Sequence, residues 1–255
     1  MIVLMPVMIL GMDYGASFFS NIWYVVLMFV AVIGAVDAYF IVNWKLFRLL
    51  EEERWDDLIT YLEQKIDRGK VPGKFIVRIL INAYLSRSNL EGIVKLGELV
   101  REKKSSLYRN MLLLFSIPVL LKGDPVSIEE FIAPYISDKK VADRLWLRYL
   151  LSFALLLQKK NGEGTEYLSQ LCREKVSSVL LLLVLYSYSP YVENEEEKNC
   201  IEEKKSYLKN KYSREAMGLQ IERERSNVIV AVLSGVVTEA AEWLYEERKI
   251  EIKEQ

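Results

Sequence analysis

The chain has 255 residues, 51% of them hydrophobic, and a formal net charge of −1 from 34 Lys and Arg against 35 Asp and Glu. With this balance nothing points to nucleic acid, whose phosphates require a basic patch. There is no His, which removes the commonest general base and metal ligand together, and 12 Gly with 6 Pro are too few turn residues for a many-stranded sheet, so the composition points to helices.

The opening run MIVLMPVMILGM is apolar, but its 12 residues are too few to cross a bilayer. Residues 1–16 are read as a separate short apolar segment, interfacial or re-entrant, unless Met12 is the true start. From Ser17 to Val36 no residue is charged, and after Asp37 the apolar run resumes as AYFIVNW. A hydrocarbon core of about 30 Å needs roughly 20 such residues, so one transmembrane helix is predicted over 17–44. Asp37 is the awkward member: a carboxylate at mid-bilayer costs about 2.5–3.5 kcal/mol, and intramembrane carboxylates usually have a partner. Trp23, Tyr24, Tyr39 and Trp44 lie towards the two ends, as an aromatic belt would. Lys45, Arg48 and Arg54 follow the span and no basic residue precedes it. The positive-inside rule then predicts a single-pass protein of the cell membrane, N-terminus outside and everything after residue 45 in the cytoplasm. Two rival readings exist. A signal peptide cleaved near Val36-Asp37-Ala38 would make the protein secreted or periplasmic, but the basic n-region is missing. A soluble core helix is the other, and so uninterrupted an apolar run seldom lies in a small domain.

Beyond residue 45 the sequence repeats. Residues 53–63, 88–98 and 123–132 place Leu58, Ile93 and Ile128 at intervals of 35, and a looser copy at 161–171 carries Leu168 about five residues late. Between them, apolar helices are predicted over 75–86, 108–121, 143–158 and 176–188, the first three followed by polar turns at 88–89, 122–124 and 159–162. Pro118 is predicted to kink the second of these helices. One hairpin cannot bury its own apolar face, but stacked hairpins can. The apolar stretches 146–157 and 176–192 are short for further membrane spans, so a multi-pass chain is only a rival reading.

This period and pattern resemble the tetratricopeptide repeat, whose unit is about 34 residues. The best unit runs from Lys74 to Leu107: Leu80 and Tyr84 match the first-helix motif, and SerArgSerAsnLeuGlu matches the turn into the second helix. Ile81 stands where a Gly or Ala is usual, Gly97 and Val100 where an aromatic and an Ala are usual, and no Pro closes the unit. The resemblance covers 45–190. It implies an all-α fold, a helical-hairpin solenoid (a right-handed superhelix) preceded by one transmembrane helix, with the first helices lining a concave groove. Arg78 and Asn82, one turn apart, fall where clamp-type members use a basic residue and an Asn to hold a peptide's terminal carboxylate; the alternative is a plain solvated helix face. Arg144 and Arg148 share the spacing but not the register.

The remaining part, 191–255, is expected to hold a charged helix over 193–212 and a long capping helix over 213–249. Its apolar stretch 228–237 is too short to span, so this helix is read as closing the open end of the solenoid or serving self-association. Cys172 and Cys200 fit no metal-binding spacing and are read as free, buried thiols in a reducing compartment; in a secreted protein they could pair. No GxGxxG, Walker-type, GxSxG or HExxH motif occurs. No catalytic, cofactor-binding or metal residue is therefore expected, and no nucleic-acid or small-molecule ligand. The expected function is a membrane-anchored scaffold that holds a protein or peptide in its concave groove. The alternatives are a structural subunit of a multi-protein membrane complex and a secreted or periplasmic repeat protein.

Overall fold

In the computed structural model, residues 12–67, 72–225 and 227–246 are described. Regular structure among them is helical throughout, with no strand. The first 11 residues of the short apolar segment, and the expected capping helix beyond residue 246, lie outside the described residues. The chain divides into two compact units, one running to Gln64 and the other starting at Lys65.

The first unit opens with α1 (Met12–Val42), an uninterrupted helix of 31 residues. Its stretch Trp23–Val42, 20 residues, is long and apolar enough to cross a membrane. Asn43 ends it, its side-chain amide donating to the Tyr39 carbonyl at 2.9 Å. α2 (Trp44–Glu51) is amphipathic and buries Leu46 and Leu49. α3 (Trp55–Asp67) carries Asp56 and Asp57 in its first turn, where the helix dipole favours them. It buries Leu58 and Leu62 in this unit, and its last turn, with the buried Ile66, is counted with the second.

The second unit continues the alternation: α4 (Lys74–Ser86), α5 (Leu90–Lys103), then α6 (Ser105–Asn110), α7 (Leu112–Phe115) and α8 (Ile117–Lys122), followed by α9 (Pro125–Ile132), α10 (Arg144–Leu157), α11 (Asn161–Arg173) and α12 (Ser178–Tyr188). Within this unit α5 packs on α4 and on α6–α8, α9 on α8 and α10, and α11 on α10 and α12.

The turns repeat more strictly than the side chains do. Glu53, Ser88, Gly123 and Lys159 all adopt left-handed backbone (φ 51°, 53°, 70° and 62°), at intervals of 35, 35 and 36 residues. The residue after three of them donates its N–H to a carbonyl five residues back: Arg54 to Leu49, Asn89 to Tyr84 and Lys160 to Leu155, at 3.0, 2.8 and 3.0 Å. This is the bond with which a left-handed residue closes a helix C-terminus. The second helix then starts on a cap. Asn89 accepts from the Gly92 N–H at 2.9 Å, and Asp124 from Val126 and Ser127 ahead of Pro125.

The turns also correct the register of the fourth copy. Counting five residues on from the left-handed position gives Leu58, Ile93, Ile128 and Gly164, all buried. Leu168, offered by sequence as a late match, belongs one helical turn further along, with Leu62, Gly97 and Ile132. Gly164 stands in the first row because a Cβ there would meet Leu156 at 3.0 Å and the Ser152 carbonyl at 3.2 Å. At Gly92 a Cβ would come within 2.6 Å of the buried Tyr84 ring. Gly92→Ala is therefore expected to cost about 1–3 kcal/mol in overpacking, more than the roughly 1 kcal/mol Ala gains in helix propensity. Thermal melts should show a net loss of stability in the natural background and none in a Tyr84→Leu background.

The Pro118 kink is distributed. The expected helix over 108–121 breaks at Met111 (φ −125°) and at Ser116, and Pro118 sits in the first turn of α8, where its missing N–H costs nothing. α12 is apolar on every side, and Val179 to Leu185 are all buried, so it is a core helix of 11 residues rather than a membrane span.

Among the described residues, the long helix expected over 213–249 is instead three: α14 (Arg214–Glu224), α15 (Val228–Val232) and α16 (Ser234–Tyr245), after the charged α13 (Glu195–Lys211). They fold onto earlier helices of the unit. α16 lies on α12, α13 and α14, while α15 folds back onto α7 and α8. Tyr186 donates to Glu239 at 3.0 Å, the Trp243 ring packs edge-on to Tyr186, and the Lys205 ammonium stands 4.1 Å from the Trp243 ring centre.

Candidate functional site

α4 buries Val77, Leu80, Ile81, Ala83 and Tyr84. That fixes its rotation and leaves Lys74, Arg78 and Asn82 on exposed turns of the opposite face, four residues apart. These three line a cavity of ≈ 350 Å³ whose other walls come from distant parts of the chain: Asn110, Met111, Leu113 and Leu114, then Asp143, then Asn227 and Val228.

Local structure delivers each wall. Asn110 ends α6 just before the break at Met111. Asp143 precedes α10 in left-handed backbone (φ 54°), and its side chain does not cap that helix, so the carboxylate is not consumed there. Asn227 does cap α15: its Oδ1 accepts from the Ile229 N–H at 3.2 Å, which leaves its amide N–H groups as donors. Among the described residues, the side chains of Lys74, Arg78, Asn82 and Asn110 have no hydrogen-bond or ion-pair partner.

The cavity thus combines two cations, three amides and one carboxylate over Met111, Leu113, Leu114 and Val228. An unpaired guanidinium offers two parallel N–H donors to a carboxylate, and the ammonium one turn away adds charge. Arg78 and Asn82 both line this cavity. Arg148 is not brought to them: its guanidinium is held by Glu174 and Gln170 and its side chain is 11% exposed. Arg144 does not line the cavity, and Asp37 lies on α1 of the other unit. Sequence reasoning missed Lys74, although the run 74, 78, 82 was visible. It also missed Asn110, Asp143 and Asn227, which only the return of α15 and the break at Met111 bring near.

One protein family, described as an uncharacterised Treponema protein, has a model that matches residues 92–246. The match takes in Asn110, Asp143 and Asn227, and leaves out α1 and the three α4 residues. No curated protein and no solved structure matches the chain.

Proposed function

We propose that this chain, which belongs to that uncharacterised Treponema family, is a membrane-tethered scaffold that captures a protein partner by a peptide carboxylate in the α4 cavity. In this reading α1 spans the cell membrane with the N-terminus outside, and the hairpins stack in the cytoplasm as a tetratricopeptide-like right-handed solenoid. No catalysis is assigned. The turn period of 35, 35 and 36 residues supports the repeat. So do the buried Ser116 and Ser152, 35 residues after Ile81 and a further 36 on, which supply a small side chain at the first-helix position that Ile81 occupies in its own unit.

The observation that carries the binding role is the set Lys74, Arg78 and Asn82, free of internal partners and facing one cavity. Solvated surface cations need no cavity, and structural ones are paired, as Arg148 is. The test is retention of a random peptide library with free C-terminal carboxylates on the full chain in mild detergent, against the same library amidated. Arg78→Ala should weaken the retained peptides about 10–100-fold, since a charge-assisted hydrogen bond is worth about 1.5–3 kcal/mol. Indifference of the retained peptides to amidation, or to Arg78→Ala, rejects the reading.

A second reading rests on Asp37. It is exposed on α1 inside the apolar stretch and has no partner among the described residues. An intramembrane carboxylate of that kind favours a subunit of a membrane complex, with Asp37 paired to another span. A partner that copurifies in mild detergent and is lost in Asp37→Leu would support it.

A further inference from the structure

We propose that Cys172 and Cys200 are a reversible thiol pair, which an anionic, glutathione-like disulfide converts to one intramolecular disulfide tying α11 to α13. Their sulfurs lie 3.6 Å apart although the residues are 28 apart in sequence. The packing of α11 on α13 brings them together, not a local motif. Both are free thiols, Cys172 buried and Cys200 half-buried rather than buried as the sequence suggested. Side-chain rotation has to close only the gap to a bond of about 2 Å.

The surroundings set the order of events. Burial pushes the Cys172 thiol up to about 12, with Cys200 adding to the effect and Lys204 and Arg173 opposing it. Arg173 and Lys204 also line a neighbouring cleft of ≈ 240 Å³ with Lys175 and Glu174, three cations against one carboxylate that Arg148 already holds, which favours an anionic oxidant near the pair. The more accessible Cys200 reacts first: its thiolate attacks one sulfur of the small disulfide and expels a thiolate. Cys172 then gives up its proton and attacks the Cys200 sulfur, expelling the second thiolate. The two cysteines lose two electrons, the oxidant gains them, and the two protons end on the released thiols. The bond fixes α13, whose Lys205 holds the Trp243 ring of α16.

The full chain in mild detergent is treated with oxidised glutathione and measured by intact mass, thiol titration and peptide mapping. Expected are loss of both thiols, a mass lower by about two hydrogens, a linked Cys172–Cys200 peptide, and a melting temperature roughly 5–10 °C higher, all reversed by dithiothreitol. Cys172→Ala should instead accumulate a glutathione adduct on Cys200, and Cys200→Ser should leave Cys172 unmodified. A persistent glutathione adduct on natural-sequence Cys200, covalent dimers, or two unreacted thiols overturns the proposal, and the mass of the natural chain alone decides this if a variant fails to fold. None of these outcomes depends on the peptide-binding role.

Discussion

Leu182→Ala is expected to destabilise the second unit by about 3–5 kcal/mol, the upper part of the range for a truncated buried leucine. Leu182 is fully buried at the centre of α12, and α12 is enclosed by α10, α11, α13, α14 and α16. A cavity so surrounded has no flexible wall to collapse onto, which is what sets the cost within that range. The control is Leu157→Ala, near the end of α10, where the side chain is 54% exposed. That change should stay within about 0.5 kcal/mol, as surface changes usually do. In a unit of this size 1 kcal/mol moves the melting temperature by about 2–4 °C, so the two variants should separate by roughly 10 °C by differential scanning fluorimetry. Equal melting of the two would mean that α12 is not packed against the neighbouring helices, and the multi-pass reading of residues 176–192 would regain its standing.

Much of this fold was legible because its signals are local. The block from Ser17 to Val36 needed only a count of uncharged residues, and α1 runs through it without a break. The rows headed by Leu58 and Leu62 follow from a period the turns impose, and Ser88, Gly123 and Lys159 mark those turns with polar or small residues. What failed depended on distant partners. The fourth copy looked late because Gly164 has no side chain to read, and its reason, the approach to Leu156 and Ser152, exists only once α10 and α11 are packed. The apolar pattern from 213 to 249 has helical periodicity, yet α15 turns back onto α7 and α8, a choice set by the surface those helices leave open. The cavity shows the same division. Arg78 and Asn82 are neighbours on one helix and could be paired by spacing; Asp143 and Asn227 reach them only through tertiary structure.

Val32→Arg should abolish stable membrane association. Val32 lies near the middle of Trp23–Val42. That stretch holds eleven Leu, Ile, Val and Phe residues. At about 0.3–0.6 kcal/mol each they favour insertion by roughly 3–7 kcal/mol, against roughly 2.5–3.5 for Asp37 were it central. Asp37 is five residues from the end of the stretch, where the penalty shrinks, so the natural sequence retains a margin of a few kcal/mol. An arginine at the centre removes about 3 kcal/mol and one valine contribution besides, which consumes that margin. The natural chain should stay in the pellet after an alkaline carbonate wash, and Val32→Arg should be released. The same arithmetic fixes the rescue: Val32→Arg combined with Asp37→Leu removes one carboxylate penalty and adds one leucine, and should return the protein to the pellet. Release of the natural chain by carbonate would remove the anchor altogether. Retention of Val32→Arg would show that something other than the apolar content of α1 holds the protein at the membrane.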